Sequence, residues 1–318
     1  SGSSSLYKNT TGYNNTALGY YSLYKNTIGY FNTASGSYSL YTNTSGYDNT
    51  ASGYLSLQAN TTGYANTASG SNSLFTNSSG NYNTALGYYS LYNSTGNNNT
   101  AMGHLAGSSI TSGEKLTCIG YDAQPSSATA TNQITLGNSF VGSLRCAVTT
   151  ITALSDARDK KNITDLNLGL DFLMKVKPRL FNWDKREWYD NNLSDGSKMQ
   201  KTPTAGFIAQ ELDEVQTTQN SEWLKLVLKD NPEKLEATPG NLLPIMVKAI
   251  QELNKQKDEE IASLREEKNL EIASLKKENV LLLQRLESFE EVQKMIAVEL
   301  HKLRNEKSYS ITTINKSE

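Results

Sequence analysis

Glycine constrains the first third of this chain more than any other residue. It falls at 12, 19, 29, 36, 46, 53, 63, 70, 80, 87, 96 and 103, with spacings that alternate between seven and ten. The resulting 17-residue period slips by one residue only near its end. A fixed period of this kind marks stacked structural units, not a linker. The same phase carries Asn-Thr-Ala at 15–17, 32–34, 49–51, 66–68, 83–85 and 99–101, and Ser-Leu at 22–23, 39–40, 56–57, 73–74 and 90–91. Each unit holds two short runs of Tyr, Thr, Leu and Ala bounded by Gly and Asn, which predicts two short strands with a turn after each. One unit has too few large apolar residues to close a core. Stacking five or six coils, with three chains packed against one another, is expected to bury Leu23, Leu40, Leu57, Leu74 and Leu91 as one ladder.

An outward face of this array would carry some of Tyr20, Tyr21, Tyr24, Tyr30, Tyr38, Tyr41, Tyr47, Tyr54, Tyr64, Tyr88 and Tyr92. Tyrosine rings stack on sugar faces while Asn and Thr take hydroxyl groups, which suits a glycan. The same rings can simply stack on each other along the coils. The threonine rows raise ice binding, but bulky tyrosines between them argue against a flat, small-residue face. From His104 the repeat decays, and short apolar runs such as 116–119 and 133–136 predict short strands tapering into a neck. The β-branched residues 148–152 predict a strand that leads straight into Leu154.

Composition changes at Ser155. Of 30 basic and 32 acidic side chains, only Lys8, Lys25, Asp48, Glu114, Lys115, Asp122 and Arg145 precede it. The stretch 155–163 reads Ser-Asp-Ala-Arg-Asp-Lys-Lys-Asn-Ile. A serine hydroxyl becomes a nucleophile when a base takes its proton, and a lysine serves as that base once burial lowers its pKa. Five residues apart, Ser155 and Lys160 can meet in a turn, whereas on a regular helix they point apart. The carbonyl nearest Ser155 Oγ in sequence belongs to Leu154, and attack on it would give an ester whose hydrolysis cuts the chain at its seam. The alternative is that Ser155 caps a helix and the rest is a solvated turn.

Beyond the seam, Leu166, Leu168, Leu170, Phe172, Leu173 and Val176 predict an apolar helix ended by Pro178. Leu180, Phe181 and Trp183 read as a strand, 184–203 as a loop or hairpin tip, and 206–212 as a strand turning into a helix. From Leu242 a long helix begins, with core positions at 246, 250, 253, 257, 261, 264, 268, 272, 275, 279, 282, 286, 289, 293, 296, 300 and 303. Steps of eleven link Lys257, Lys268 and Asn279, so this part is a straight or slightly right-handed bundle before heptads take over. Polar residues at core positions fix register and strand number, and a parallel trimer is expected.

The order S-D-x-R-x-K-x-N-I, apolar run, K-P-R-L-F-N-W and G-F-I-A-Q-E-L resembles the self-cleaving intramolecular chaperone domain at the C-terminus of phage endosialidases and tail fibres. The repeat is similar to the β-roll heads of trimeric bacterial adhesins, though the unit length differs. The chaperone resemblance implies Ser155 as nucleophile, Lys160 as base and Leu154–Ser155 as the scissile bond, with Asp156, Arg158, Asn162, Gln210 and Glu211 in support. Ala157 and Asp159 depart from the family without touching the chemistry. The alternative for Gln210 and Glu211 is a plain helix N-terminal pair.

The expected fold class is mixed. An all-β trimeric β-roll or solenoid shaft (1–107) and a short-strand neck (108–154) precede an α+β chaperone domain (155–241), a long trimeric coiled coil (242–306) and a flexible tail (307–318). The expected protein is a homotrimeric tail fibre or surface-adhesion fibre, on a virion or as an extracellular appendage, assembled in the cytoplasm of the producing cell. Its partners are its own copies and a cell-surface glycan or other surface receptor. The alternative is an uncleaved trimeric adhesin with a permanent stalk. No cofactor is expected. His104 and His301 lie far apart and suggest no metal, and Asp48 and Asp122 are isolated, which disfavours a glycan-degrading tailspike. A net charge of −2 gives no nucleic-acid footprint. No apolar run reaches membrane-spanning length. Cys118 and Cys146 allow a single disulfide but read as two thiols, because no dense cysteine framework is present. The opening SGSSS, without methionine, reads as a missing native start.

Overall fold

A computed structural model of the protein describes residues 1–146 and 153–314, so the β-branched strand expected at 148–152 lies outside the described residues. The chain divides into two compact units, one formed by 1–163 with 177–239 and the other by 164–176 with 240–318.

The first unit begins as a parallel β-solenoid of about seven turns. Its strands are β1 Thr16–Leu18, β2 Thr33–Ser35, β3 Thr50–Ser52, β4 Thr67–Ser69, β5 Thr84–Leu86, β6 Thr100–Met102, β7 Thr117–Ile119 and β8 Ile134–Leu136. Each pairs only with its neighbours, so Thr16 lies over Thr33, Thr33 over Thr50, and so on to Ile134. The sheet outlasts the sequence signature. Through β7 and β8 the coil continues where the repeat has already decayed.

Two expectations are corrected here. Each coil has one three-residue strand, not two. The Tyr-Ser-Leu-Tyr run is a turn in which Leu23, Leu40, Leu57, Leu74 and Leu91 take φ between 48° and 51°. Left-handed backbone costs an L-residue about 1–2 kcal/mol. Bonds to the next coil offset it, as when Leu23 N donates to Ser39 O and Leu40 N to Ser56 O. The second correction is that the leucine ladder needs no partner chain. All five leucines are fully buried inside a single chain, against the alanines at the strand centres.

That core is partly polar. Asn26, Asn43, Asn60 and Asn77 each donate a side-chain bond to the asparagine one coil earlier, and Asn32, Asn49, Asn66 and Asn83 form a second ladder. All eight are buried. Glycine is required where coils meet. Gly36 has φ +142°, and a Cβ there would lie 2.4 Å from Gly53 O.

The ladder at the strand centres ends on Cys118, whose thiol burial pushes up to about 11. A raised pKa in the fold means the thiol contributes stability that is present below about pH 9 and lost as pH rises through about 11. No disulfide joins Cys118 to the exposed Cys146. Native protein treated with iodoacetamide at pH 8 should gain one adduct, at Cys146, and denatured protein two. Equal rates at both thiols, read by mass spectrometry, would contradict the burial of Cys118.

The rest of the first unit holds two hairpins and a helix. Strands β9 Arg179–Phe181 and β10 Thr204–Gly206 are antiparallel, as are β11 Val227–Leu228 and β12 Glu236–Ala237. Helix α2, Ala209–Thr218, buries Leu212, Val215 and Gln216. Gln216 is satisfied because its Oε1 accepts the Leu226 N–H at 3.0 Å.

In the second unit the helix expected over 166–176 is corrected to four residues, α1 Leu170–Leu173. Gly169 breaks the periodic run, and Leu166 and Leu168 lie in the irregular segment before it. Glu252 of the long helix caps α1 by accepting the Leu170 N–H at 2.8 Å. That helix, α3, runs Leu243–Ile314. Its first turns bury Ile245 and Ala249, while Phe172 and Val176 are buried on the α1 side. Farther along, Leu264, Ile272, Leu275, Leu282, Leu286, Phe289, Ile296, Leu300 and Leu303 are all exposed.

Candidate functional site

The seam folds as a tight local turn. Asp156 has extended backbone and its carboxylate accepts the Arg158 N–H at 2.9 Å, capping a single 3-10 turn over Ala157–Asp159. The Arg158 guanidinium closes on the same carboxylate at 2.6 Å. Its side-chain and backbone bonds hold Asp156 below the usual carboxylate range. The turn ends at Lys160, whose N–H donates to Ala157 O.

This geometry carries the Lys160 side chain back over the start of the turn. Lys160 Nζ lies 2.5 Å from Ser155 Oγ and 3.3 Å from Ser155 O. A helix would have separated two side chains five residues apart, and the 3-10 turn flanked by extended residues joins them. Asn162 follows with φ 53°, a conformation asparagine tolerates, and redirects the chain. Ser155, Asp156, Arg158, Lys160 and Asn162 are all exposed, and so is Leu154. The Leu154–Ser155 peptide is therefore open to water and to a nucleophile.

Gln210 and Glu211 lie on the first turn of α2. Gln210 is exposed. Glu211 is taken by Arg179, whose guanidinium makes a two-pronged ion pair with it and lowers the carboxyl from its usual value. The pair ties β9 to α2. Sequence reasoning missed Arg179, although it stands inside the K-P-R-L-F-N-W segment.

Chemically, a hydroxyl beside an amine next to an exposed peptide bond can begin an acyl shift. Residues 155–220 match the family model described as the chaperone of endosialidase. No curated protein and no solved structure matches the chain. The matched segment starts on Ser155 and includes Lys160, Arg179, Gln210 and Glu211. The chaperone of endosialidase is a family of self-cleaving peptidases in general. Such a segment behind a β-solenoid fits a protein of the tail-fibre or adhesin type, and the family suggests association with a virion.

On the solenoid, rings stack from coil to coil. Tyr13, Tyr30, Tyr47 and Tyr64 form one parallel stack with centroids 4.8–5.1 Å apart, and Tyr7, Tyr24 and Tyr41 form another. Tyr20, Tyr54 and Tyr88 are exposed. Hydrogen bonding to Tyr21 is the largest cause that pushes the Tyr20 phenol up to about 12. Among the described residues no helix is long and apolar enough to cross a membrane, and no three His, Cys, Asp or Glu side chains gather as a metal ion would need.

Proposed function

We propose that this chain is a homotrimeric tail-fibre or surface-adhesion protein whose C-terminal part brings three chains together, assists folding of the solenoid and then cuts itself off between Leu154 and Ser155. The observation that carries this reading is the 2.5 Å approach of Lys160 Nζ to Ser155 Oγ at the first residue of the chaperone match. Ser155 Oγ attacks the Leu154 carbonyl carbon while Lys160 accepts its proton. The C–N bond then breaks, Lys160 returns the proton to the Ser155 nitrogen, and an ester joins Leu154 to Ser155 Oγ. Water hydrolyses the ester to a Leu154 carboxylate and a free Ser155 hydroxyl. Each chain cuts once, and no external substrate is involved. Asp156 and Arg158 hold the turn, and Asn162, Gln210 and Glu211 support it.

Timing follows from exposure. Lys160 is exposed in the single chain, and an amine becomes a base when water is removed from it. Packing by two further chains supplies that desolvation, so cutting waits for assembly. The exposed apolar stripe of α3 supports a coiled coil, and Lys257, Lys268 and Asn279 at core positions set its register. In this reading 155–241 is the chaperone domain, 242–306 the coiled coil and 1–154 the shaft and neck, whose tyrosine face meets a glycan or another surface receptor. Since each solenoid closes its own core, the trimer sets the alignment of three shafts and is not needed to bury their leucines.

Sedimentation of the full chain should give a trimer, and a chain ending at Lys255 a monomer that stays uncut on a denaturing gel. A monomeric truncation that still cuts would break the link between assembly and cleavage. A trimer that never cuts would favour the second reading, a permanent stalk.

A further inference from the structure

Within the first unit, residues beyond the seam grip the last coil of the solenoid. Asp230, in the turn between β11 and β12, accepts a bond from Gln133 Nε2 at 2.9 Å, and its carboxylate lies 3.1 Å from Ser126 Oγ. Gln133 and Ser126 are themselves bonded, since Gln133 Oε1 accepts the Ser126 N–H at 3.0 Å. The carboxylate thus closes a small preformed polar group on the coil between β7 and β8. A second grip comes from Lys185, which donates to Ser139 O at 2.8 Å just after β8. Its ammonium is aimed by two indoles, with Nζ 5.1 Å from the Trp183 ring and 5.5 Å from the Trp188 ring. Beside it, burial pushes the Glu187 carboxyl up, yet the Lys234 ammonium and the Ser139 hydroxyl outweigh this and hold it below its usual range.

Both grips join a charged group to a neutral one, the stronger class of hydrogen bond. Their partners stand on opposite sides of the proposed cut. Ser126, Gln133 and Ser139 precede Leu154, and Lys185 and Asp230 follow Ser155. Breaking one peptide bond leaves every one of these contacts in place. We propose that Lys185 and Asp230 form a dock for the terminal solenoid coil, so that the C-terminal piece stays bound to the shaft after the backbone is severed. The biological meaning of the dock rests on the proposed cleavage, but its test does not.

A Ser155→Ala chain with a specific protease site inserted between the exposed Gly142 and Ser143 can be cut by added protease whatever Ser155 does. The two pieces should co-elute in gel filtration. The same chain with Lys185→Ala and Asp230→Ala should give two separate peaks. In the uncut chain, amides of residues 126–139 should exchange faster in the double variant, while those around Asn49 and Asn66 should not change, which guards against simple misfolding. Separate peaks without the two substitutions, or co-elution with them, would overturn the dock. Failure of self-cleavage is read elsewhere, on denaturing gels of the chain that keeps Ser155.

Discussion

A chain carrying Ser155→Ala is expected to run as one band of 35.0 kDa, where the unaltered chain should give two bands near half that mass. The alanine removes the hydroxyl proposed to attack the Leu154 carbonyl, so the loss should be complete. Lys160→Ala should slow the cut by about 10²–10⁴-fold, the usual contribution of a positioned base. Lys160→Arg tests the role and not merely the charge, because a guanidinium stays protonated in proteins and cannot accept the serine proton. It should cut no faster than the alanine variant although it keeps the positive charge. The larger product of the unaltered chain should begin at Ser155 on N-terminal sequencing. Hydroxylamine added to a slow variant should release the two pieces, because it attacks an ester and leaves amides alone. A Ser155→Ala chain that still cuts at this bond would end the mechanism.

Local chemistry was legible in the sequence, and tertiary chemistry was not. Ser155 and Lys160 are five residues apart, Asp156 and Asn162 are turn formers and Arg158 pairs with Asp156, so one short segment contains the whole geometry. The glycine period likewise located the coils up to Gly103, because each of these glycines meets one on the next coil, 16 or 17 residues away. Strand content misled because Tyr and Thr favour strands on average. Here the bond from Leu23 N to Ser39 O is available only in the left-handed turn, and it decides the conformation. The expected 166–176 helix failed at Gly169, where Glu252 from far along the chain supplies the cap. Arg179 with Glu211, and Lys185 and Asp230 with the last coil, link residues whose proximity no local pattern encodes.

Asparagine is where composition misleads most, and it gives the second large effect. Asparagine in a glycine-punctuated repeat reads as a surface turn residue, yet Asn66 is fully buried. Its Nδ2 donates to Asn49 Oδ1 at 3.1 Å and to Gly80 O at 2.8 Å, while its Oδ1 accepts both the backbone N–H and the Nδ2 of Asn83 at 3.0 Å. In Asn66→Ala the carbonyls keep other donors, since Asn77 still reaches Gly80 O. The Asn83 backbone N–H keeps no acceptor. One orphaned buried donor costs about 1–3 kcal/mol. With the lost side-chain bonds and the void, a total of about 3–4 kcal/mol is expected. Thr62→Ala, at an exposed position on a neighbouring turn, should stay within about 0.5 kcal/mol of the unaltered chain. Asn66→Leu separates the causes. It refills the void with similar volume but leaves the N–H orphaned, so it should recover little of the loss if the ladder acts through hydrogen bonds. Amide exchange across residues 49–99 reads all three variants coil by coil, because solenoid coils couple mainly to their neighbours. Recovery in Asn66→Leu would mean that volume holds the coils together. Continued loss would mean that the amide ladder sets coil spacing, which apolar leucines alone cannot fix because dispersion contacts have no direction.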